Sequence, residues 1–165
     1  MRNAMMLLPL LVLGFLAPAC TFGDEQHRAP ARAATATGYG SPGKARDVSR
    51  TIEISLRDTM RIEPAQMSVK QGETLRLRIR NTGAVPHEFV LGTKEEIDEH
   101  REMMKTMPKM RNDEANAVSI QPGASAELLW RFGTSGTFFY ACLIPGHWEA
   151  GMQGTATVTP SAKTR

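Results

Sequence analysis

An all-β sandwich carrying one inserted helix is the fold that this 165-residue sequence predicts. Three observations lead there. Short apolar–polar alternations with a period of two recur from residue 52 onward, as half-buried strands require. Turn-forming pairs and clusters (Gln71-Gly72, Asn81-Thr82-Gly83, Pro122-Gly123, Gly133 to Gly136) punctuate them at close intervals. A single stretch, Thr93 to Asn116, abandons the alternation and is rich in helix formers.

The chain reads in order as follows. Residues 1–19 have the features of a secretory signal: Arg2, an apolar run from Ala4 to Ala17, and the small-residue site Ala17-Pro18-Ala19. Cys20 follows directly, where a lipoprotein cysteine would be acylated, although Leu16 sits one place too far back for a regular lipobox. The expected location is therefore the periplasm, with a lipid anchor at Cys20 as a further possibility. Residues 20–48 are dominated by Ala, Gly, Pro, Thr and Arg and read as a flexible linker too poor in large apolar groups to pack, with His27 solvated. A domain over residues 49–160 follows, then a tail at 161–165. About 110 residues suffice for one core.

Within the domain, Ile52, Ile54 and Leu56 alternate with Glu53, Ser55 and Arg57. Met67 and Val69 mark the next strand. Leu75, Leu77 and Ile79 alternate with Arg76, Arg78 and Arg80, the clearest strand in the chain. Those arginines suit a solvated sheet face, or a docking patch for an acidic partner. Phe89 to Leu91, Val118 to Ile120, Leu128 to Phe132, Phe138 to Cys142 and Thr155 to Val158 supply the remaining strands. Lys94 to Met107 is the predicted helix, with Thr93 as its cap, Glu95 and Glu96 in the first turn, and Pro108 as its stop.

Chemistry concentrates in Phe138 to Gly154, FFYACLIPGHWEAGMQG, which places Cys142, His147 and Met152 five residues apart. Thiolate and thioether are soft ligands that select copper(I), and imidazole suits both copper oxidation states. Pro145, Gly146 and Gly151 break any helix here, so the segment should be a loop curling around one ion. His87, in NTGAVPHEFVLG, is the candidate fourth ligand. Two histidines, one cysteine and a weak axial methionine make the blue-copper ligand set. Zinc has little use for methionine, and nothing nearby orients His147 as the base of a Cys–His nucleophilic pair.

The helical stretch offers a second set of soft donors. His100, Met103, Met104 and Met107 share one helix face, and Met110 lies just past Pro108. They suit a second copper(I) site. Alternatively Ile97, Met104 and Met107 form the apolar stripe that packs the helix on the sandwich.

With Asn81, Gly83 and His87 upstream, and Phe138, Tyr140, Cys142, Pro145, Gly146, His147, Gly151, Met152 and Gly154 downstream, the sequence resembles the cupredoxins, the plastocyanin and azurin family of small copper proteins. The resemblance spans roughly Ile52 to Thr159, and ACLIPGHWEAGM is most similar to bacterial periplasmic cupredoxins linked to copper tolerance. Two departures stand out. Four residues separate Cys142 from His147, more than in pseudoazurin-like members, and Glu88 stands where plastocyanin and azurin carry an asparagine that ties the ligand loops together. The resemblance implies a Greek-key sandwich with one type 1 copper held between loops at one end. It also implies that His147 exposes a ring edge as the electron port, with Trp148 and Pro145 forming an apolar docking surface around it.

Two functions follow from that resemblance. One is an exported carrier of single electrons between envelope redox proteins. The other is a periplasmic copper-tolerance protein that sequesters or buffers copper, for which the Met-rich stretch would add copper(I) capacity. An enzyme is not expected: multicopper oxidases and copper nitrite reductases need more histidines than the four present, and a two-thiolate binuclear site fails because only Cys142 lies in the domain. The formal charge of +3, with both signs interspersed, gives no basic patch for nucleic acid.

Overall fold

In a computed structural model of the chain, residues 37–108 and 114–161 are described. The expected signal segment, Cys20 and Met110 lie outside them. The strands are β1 (Gly40–Pro42), β2 (Arg50–Arg57), β3 (Arg61–Glu63), β4 (Gln66–Lys70), β5 (Thr74–Asn81), β6 (His87–Gly92), β7 (Ala117–Ile120), β8 (Ser125–Phe132), β9 (Gly136–Ala141) and β10 (Gln153–Thr159), with helix α1 (Lys94–Thr106) between β6 and β7. They form two five-stranded sheets, ordered β1-β8-β5-β2-β3 and β4-β10-β9-β6-β7. The chain crosses repeatedly from one sheet to the other, which makes two neighbouring pairs, β2 with β5 and β4 with β10, parallel. All other pairs are antiparallel. The expected β-sandwich with one helix is what forms.

The period of two decides which side chains enter the core. Leu75, Leu77 and Ile79 of β5 are wholly buried, while Arg78 and Arg80 face out. Burying an aliphatic side chain of this size contributes roughly 1.5–3 kcal/mol, so this one strand is a substantial part of the core. Two of the strand's three arginines meet carboxylates: Arg76 pairs with Glu127 (3.3 Å) and Arg78 with Glu53 (3.5 Å). That pairing favours the reading of a solvated, charge-balanced face.

The expected linker over 20–48 is too long at its C-terminal end. By Thr37 the chain is already part of the domain, and β1 pairs with β8. Tyr39 is 1% exposed. Its ring lies 5.4 Å from that of Trp130 and 5.1 Å from that of Phe138. Its hydroxyl donates to the Leu91 carbonyl (2.8 Å) and accepts from the Asn116 amide (3.1 Å). One aromatic residue in a polar, glycine-rich segment carries no periodicity, which is why composition alone missed it.

Helix α1 starts as predicted. Thr93 Oγ1 accepts from the Glu96 amide (3.2 Å), and the Glu96 carboxylate accepts from the Thr93 amide (2.8 Å). This reciprocal capping box satisfies two donors that the first turn would otherwise leave open. Ile97 and Met104 then bury against Val90, Ala117, Ala141 and Leu143 of the second sheet and the loop after it.

Candidate metal centre

Three strands of the second sheet end at the same place. His87 is the first residue of β6, Cys142 follows the last residue of β9, and Met152 precedes the first residue of β10. Because β9 pairs antiparallel with β10, with Ala141 opposite Gln153, the loop from Cys142 to Met152 must leave and re-enter adjacent strands. It closes on itself: the Cys142 amide donates to Met152 O (3.1 Å), that of Met152 to His147 O (3.0 Å), and that of His147 to Ile144 O (3.0 Å). Gly151 sits at φ +96°, a backbone conformation that glycine adopts without strain.

The upstream ligand is held from the other sheet. Asn81, wholly buried at the end of β5, donates from Nδ2 to Val85 O (2.8 Å) and Ile120 O (3.0 Å) and accepts from the Gly83 amide (2.9 Å). This fastens the turn that delivers His87.

The donor atoms converge. His147 Nδ1 stands 3.3 Å from both His87 Nδ1 and Cys142 Sγ. One ligand atom from each of His87, Cys142 and His147 can be enclosed with all pairs within 4.8 Å. His87, Cys142 and Met152 are wholly buried and His147 is half-buried. Two imidazole nitrogens and a sulfur pressed together in an apolar setting are what a soft metal ion would draw onto itself, and the set fits copper.

Electrostatics agree. Burial, opposed by hydrogen bonds from the Glu88 and Ile144 amides and supported by the Glu88 charge, pushes the Cys142 thiol up to about 12. The Glu88 amide, directly after His87, reaches Sγ at 3.3 Å. Burial, and then the neighbouring His87, holds His147 below its ordinary value, so its ring stays neutral with a lone pair available. His87 Nε2 lies 3.1 Å from Asp58 Oδ1. A carboxylate only accepts, so that nitrogen carries the ring proton and Nδ1 presents its lone pair to the site. The Ala84 amide, first, and then the His87 ring hold the Asp58 carboxyl below the usual range, against the opposing effect of desolvation.

Several residues near the ligands depart from expectation or were missed. The Glu88 side chain faces Ser119 of β7, whose hydroxyl lies 3.4 Å from its Oε1. Trp148 is half-buried against the Ile97–Met104 cluster, with the Arg101 guanidinium 5.6 Å from its ring centroid, so part of its ring is turned toward α1. Arg101 also approaches Glu149 (3.9 Å). Arg61 donates from Nη1 to Ala150 O (2.8 Å), tying the β2–β3 hairpin to the ligand loop. Asp58, Arg61 and Arg101 gave no periodic or motif signal in the sequence. On α1, Met104 is in the core, His100 and Met103 are half-buried, and Met107 is 48% exposed.

A β-sandwich whose buried Cys and two His converge at one end, with a buried Met closing the same loop, has the donor set of a type 1 copper protein. The sequence profile of the copper binding proteins of the plastocyanin/azurin family matches residues 48–159, and the chain belongs to that family. It is 46% identical over 122 residues to the copper-resistant cuproprotein CopI of Rubrivivax gelatinosus, covering 74% of each chain. It is 35% identical to the CopI of Pseudomonas aeruginosa over 180 residues, covering 92% of this chain and 94% of that one. Among solved structures it resembles the dithionite-reduced auracyanin of Roseiflexus castenholzii, with TM-score 0.58 and 26% identity over 68% of this chain and 99% of the other. The chain is thus a copper-binding cupredoxin related to the CopI copper-resistance proteins.

Proposed function

We propose that this protein is an exported, non-enzymatic copper-resistance cupredoxin that takes up copper in the bacterial envelope and holds it at His87, Cys142, His147 and Met152. The observation that carries this reading is the packing of Trp148, on the ligand loop, against the α1 cluster. Trp148, expected on an open apolar rim for a redox partner, is instead half-buried against the Ile97–Met104 cluster, with Arg101 over its ring. The names of the relatives from Rubrivivax gelatinosus and Pseudomonas aeruginosa support the same reading. The leader-like residues 1–19 support export, and among the described residues no helix is long and apolar enough to cross a membrane.

Copper bound here would supply a centre stable in two oxidation states; the chain's own contribution is to hold the donors. Cys142 gives up its thiol proton on binding, while the two imidazoles bind neutral. The apolar shell around the sulfur excludes water, and the Glu88 amide stabilises its charge. The test is survival. A copper-sensitive bacterium exporting this chain should tolerate more copper than one exporting Cys142→Ser at equal abundance. Equal tolerance, with the unaltered protein loaded and coloured, would overturn resistance and leave electron carriage by the same site.

The helix supports a second reading of capacity. With Met104 used for packing, Met103 and the exposed Met107 at the helix C-cap, with His100 on the same face, would supply the donors for an additional copper(I) ion. Metal analysis of copper(I)-saturated protein should then give more than one copper per chain.

A further inference from the structure

The β2–β3 turn belongs to the first sheet, yet it reaches the ligands that end the strands of the second. Asp58, the first residue of that turn, accepts three hydrogen bonds from the His87 side of the site. The Ala84 amide reaches Oδ2 at 2.7 Å, the Val85 amide reaches Oδ1 at 3.4 Å, and His87 Nε2 reaches Oδ1 at 3.1 Å. The turn itself is held down by the Thr82 amide on Leu56 O (2.9 Å) and, across the site, by Arg61 on Ala150 O. Space for the carboxylate is reserved by Gly83. A Cβ at that position would stand 1.8 Å from Asp58 Oδ1, far inside van der Waals contact. The small residue, the two amides and the imidazole all serve one side chain.

We propose that Asp58 is the outer carboxylate of the copper centre, a positioning residue that locks His87 with Nδ1 toward the metal and whose charge favours copper(II) over copper(I). The physics is that of any metal-bound histidine: a carboxylate on the far ring nitrogen fixes tautomer and orientation and makes the ligand more basic. A negative charge one imidazole away from the ion stabilises the higher oxidation state more than the lower, because Coulomb attraction scales with the charge on the ion. A loop fastener with no role in the centre would hold Ala84 and Val85 but would not distinguish the two oxidation states.

This inference rests on the copper site, which is tested separately by adding copper(II) to the unaltered protein and following the thiolate absorption. Two measurements then address Asp58. Nitrogen-15 spectra of the histidine rings in the metal-free protein, at fixed neutral pH, should show His87 protonated on Nε2. In Asp58→Ala the ring should populate both tautomers, and copper(II) affinity should fall by about 10- to 100-fold. Gly83→Ala, which pushes the carboxylate away without removing it, should reproduce that loss. Asp58→Asn keeps an acceptor but drops the charge. It should weaken copper(II) about tenfold more than copper(I), raising the reduction potential by about 59 mV. An unchanged His87 tautomer in a folded Asp58→Ala protein would overturn the positioning role. Equal weakening of both oxidation states in Asp58→Asn, with no change in potential, would overturn the charge effect; this variant decides the matter if Asp58→Ala fails to fold.

Discussion

Between about pH 7 and about pH 9, each unit of pH should raise the apparent copper affinity of this protein about tenfold. The perturbation is the proton on Cys142. Burial holds that thiol at about 12, so the metal-free site keeps its proton throughout the window, whereas the copper-bound sulfur has none. The bound form therefore binds one proton fewer, and rising pH drives copper on. His147, whose ring is neutral here because burial and His87 hold it down, adds no proton. Forming the thiolate at pH 7 spans about five pH units, or ~7 kcal/mol; a thiol at its ordinary value of 9.0 would need about two, or ~3 kcal/mol. Burial thus adds on the order of 4 kcal/mol that the copper–sulfur bond must offset. Anaerobic competition titrations with copper(I) against a chelator of known affinity, repeated across the window, measure the slope. Calorimetry in two buffers of different ionisation heat counts the proton directly. A flat affinity, or the same slope in Cys142→Ala, would refute the reasoning. The same raised thiol makes a second sign prediction: the metal-free fold should lose stability as pH climbs from 9.0 toward 12, because the unfolded chain releases the proton first, and bound copper should abolish that loss.

Cys142→Ser should remove the visible thiolate-to-copper absorption altogether, and any surviving band would displace Cys142 from the site. Tyr39→Phe should cost about 0.5–1.5 kcal/mol, the net worth of its hydroxyl contacts, because the Asn116 amide still donates to the Leu91 carbonyl (2.7 Å), and a chain beginning at Val48 should lose more; an unchanged urea midpoint for the shortened chain would return residues 37–48 to the status of linker. Met104→Ala should cost about 2–5 kcal/mol as a core truncation, whereas Met103→Leu with Met107→Leu should leave stability within about 0.5 kcal/mol and lower copper(I) stoichiometry. Unchanged stoichiometry would remove the second site.

How much of this could be read from the sequence depends on how local the cause was. The strands around Leu75, Leu77 and Ile79 declare themselves because alternation is a property of neighbours in sequence. So does α1, whose Thr93–Glu96 box is three residues long. The ligands Cys142, His147 and Met152 were legible because one loop carries all three, and His87 because a turn signal precedes it. Tyr39 was not, since its reason for being buried, the gap between Trp130 and Phe138, exists only after the strands have assembled. Asp58 reads as an ordinary turn residue until β2–β3 is laid beside the His87 loop, and Trp148 reads as open surface until α1 is placed beside it.

That last juxtaposition of sheets has a consequence for how the protein comes apart. The copper donors lie at the strand ends of one sheet or in the loop joining two of its strands, while Asn81, Arg61 and the Asp58 turn, which hold those segments, belong to the other. Sliding one layer of the sandwich past the other by a few ångströms would break these fastenings before any strand lost its own ladder. The colour of the metal is therefore a gauge of how the layers are aligned, and it should fade at lower denaturant than the sheets unravel.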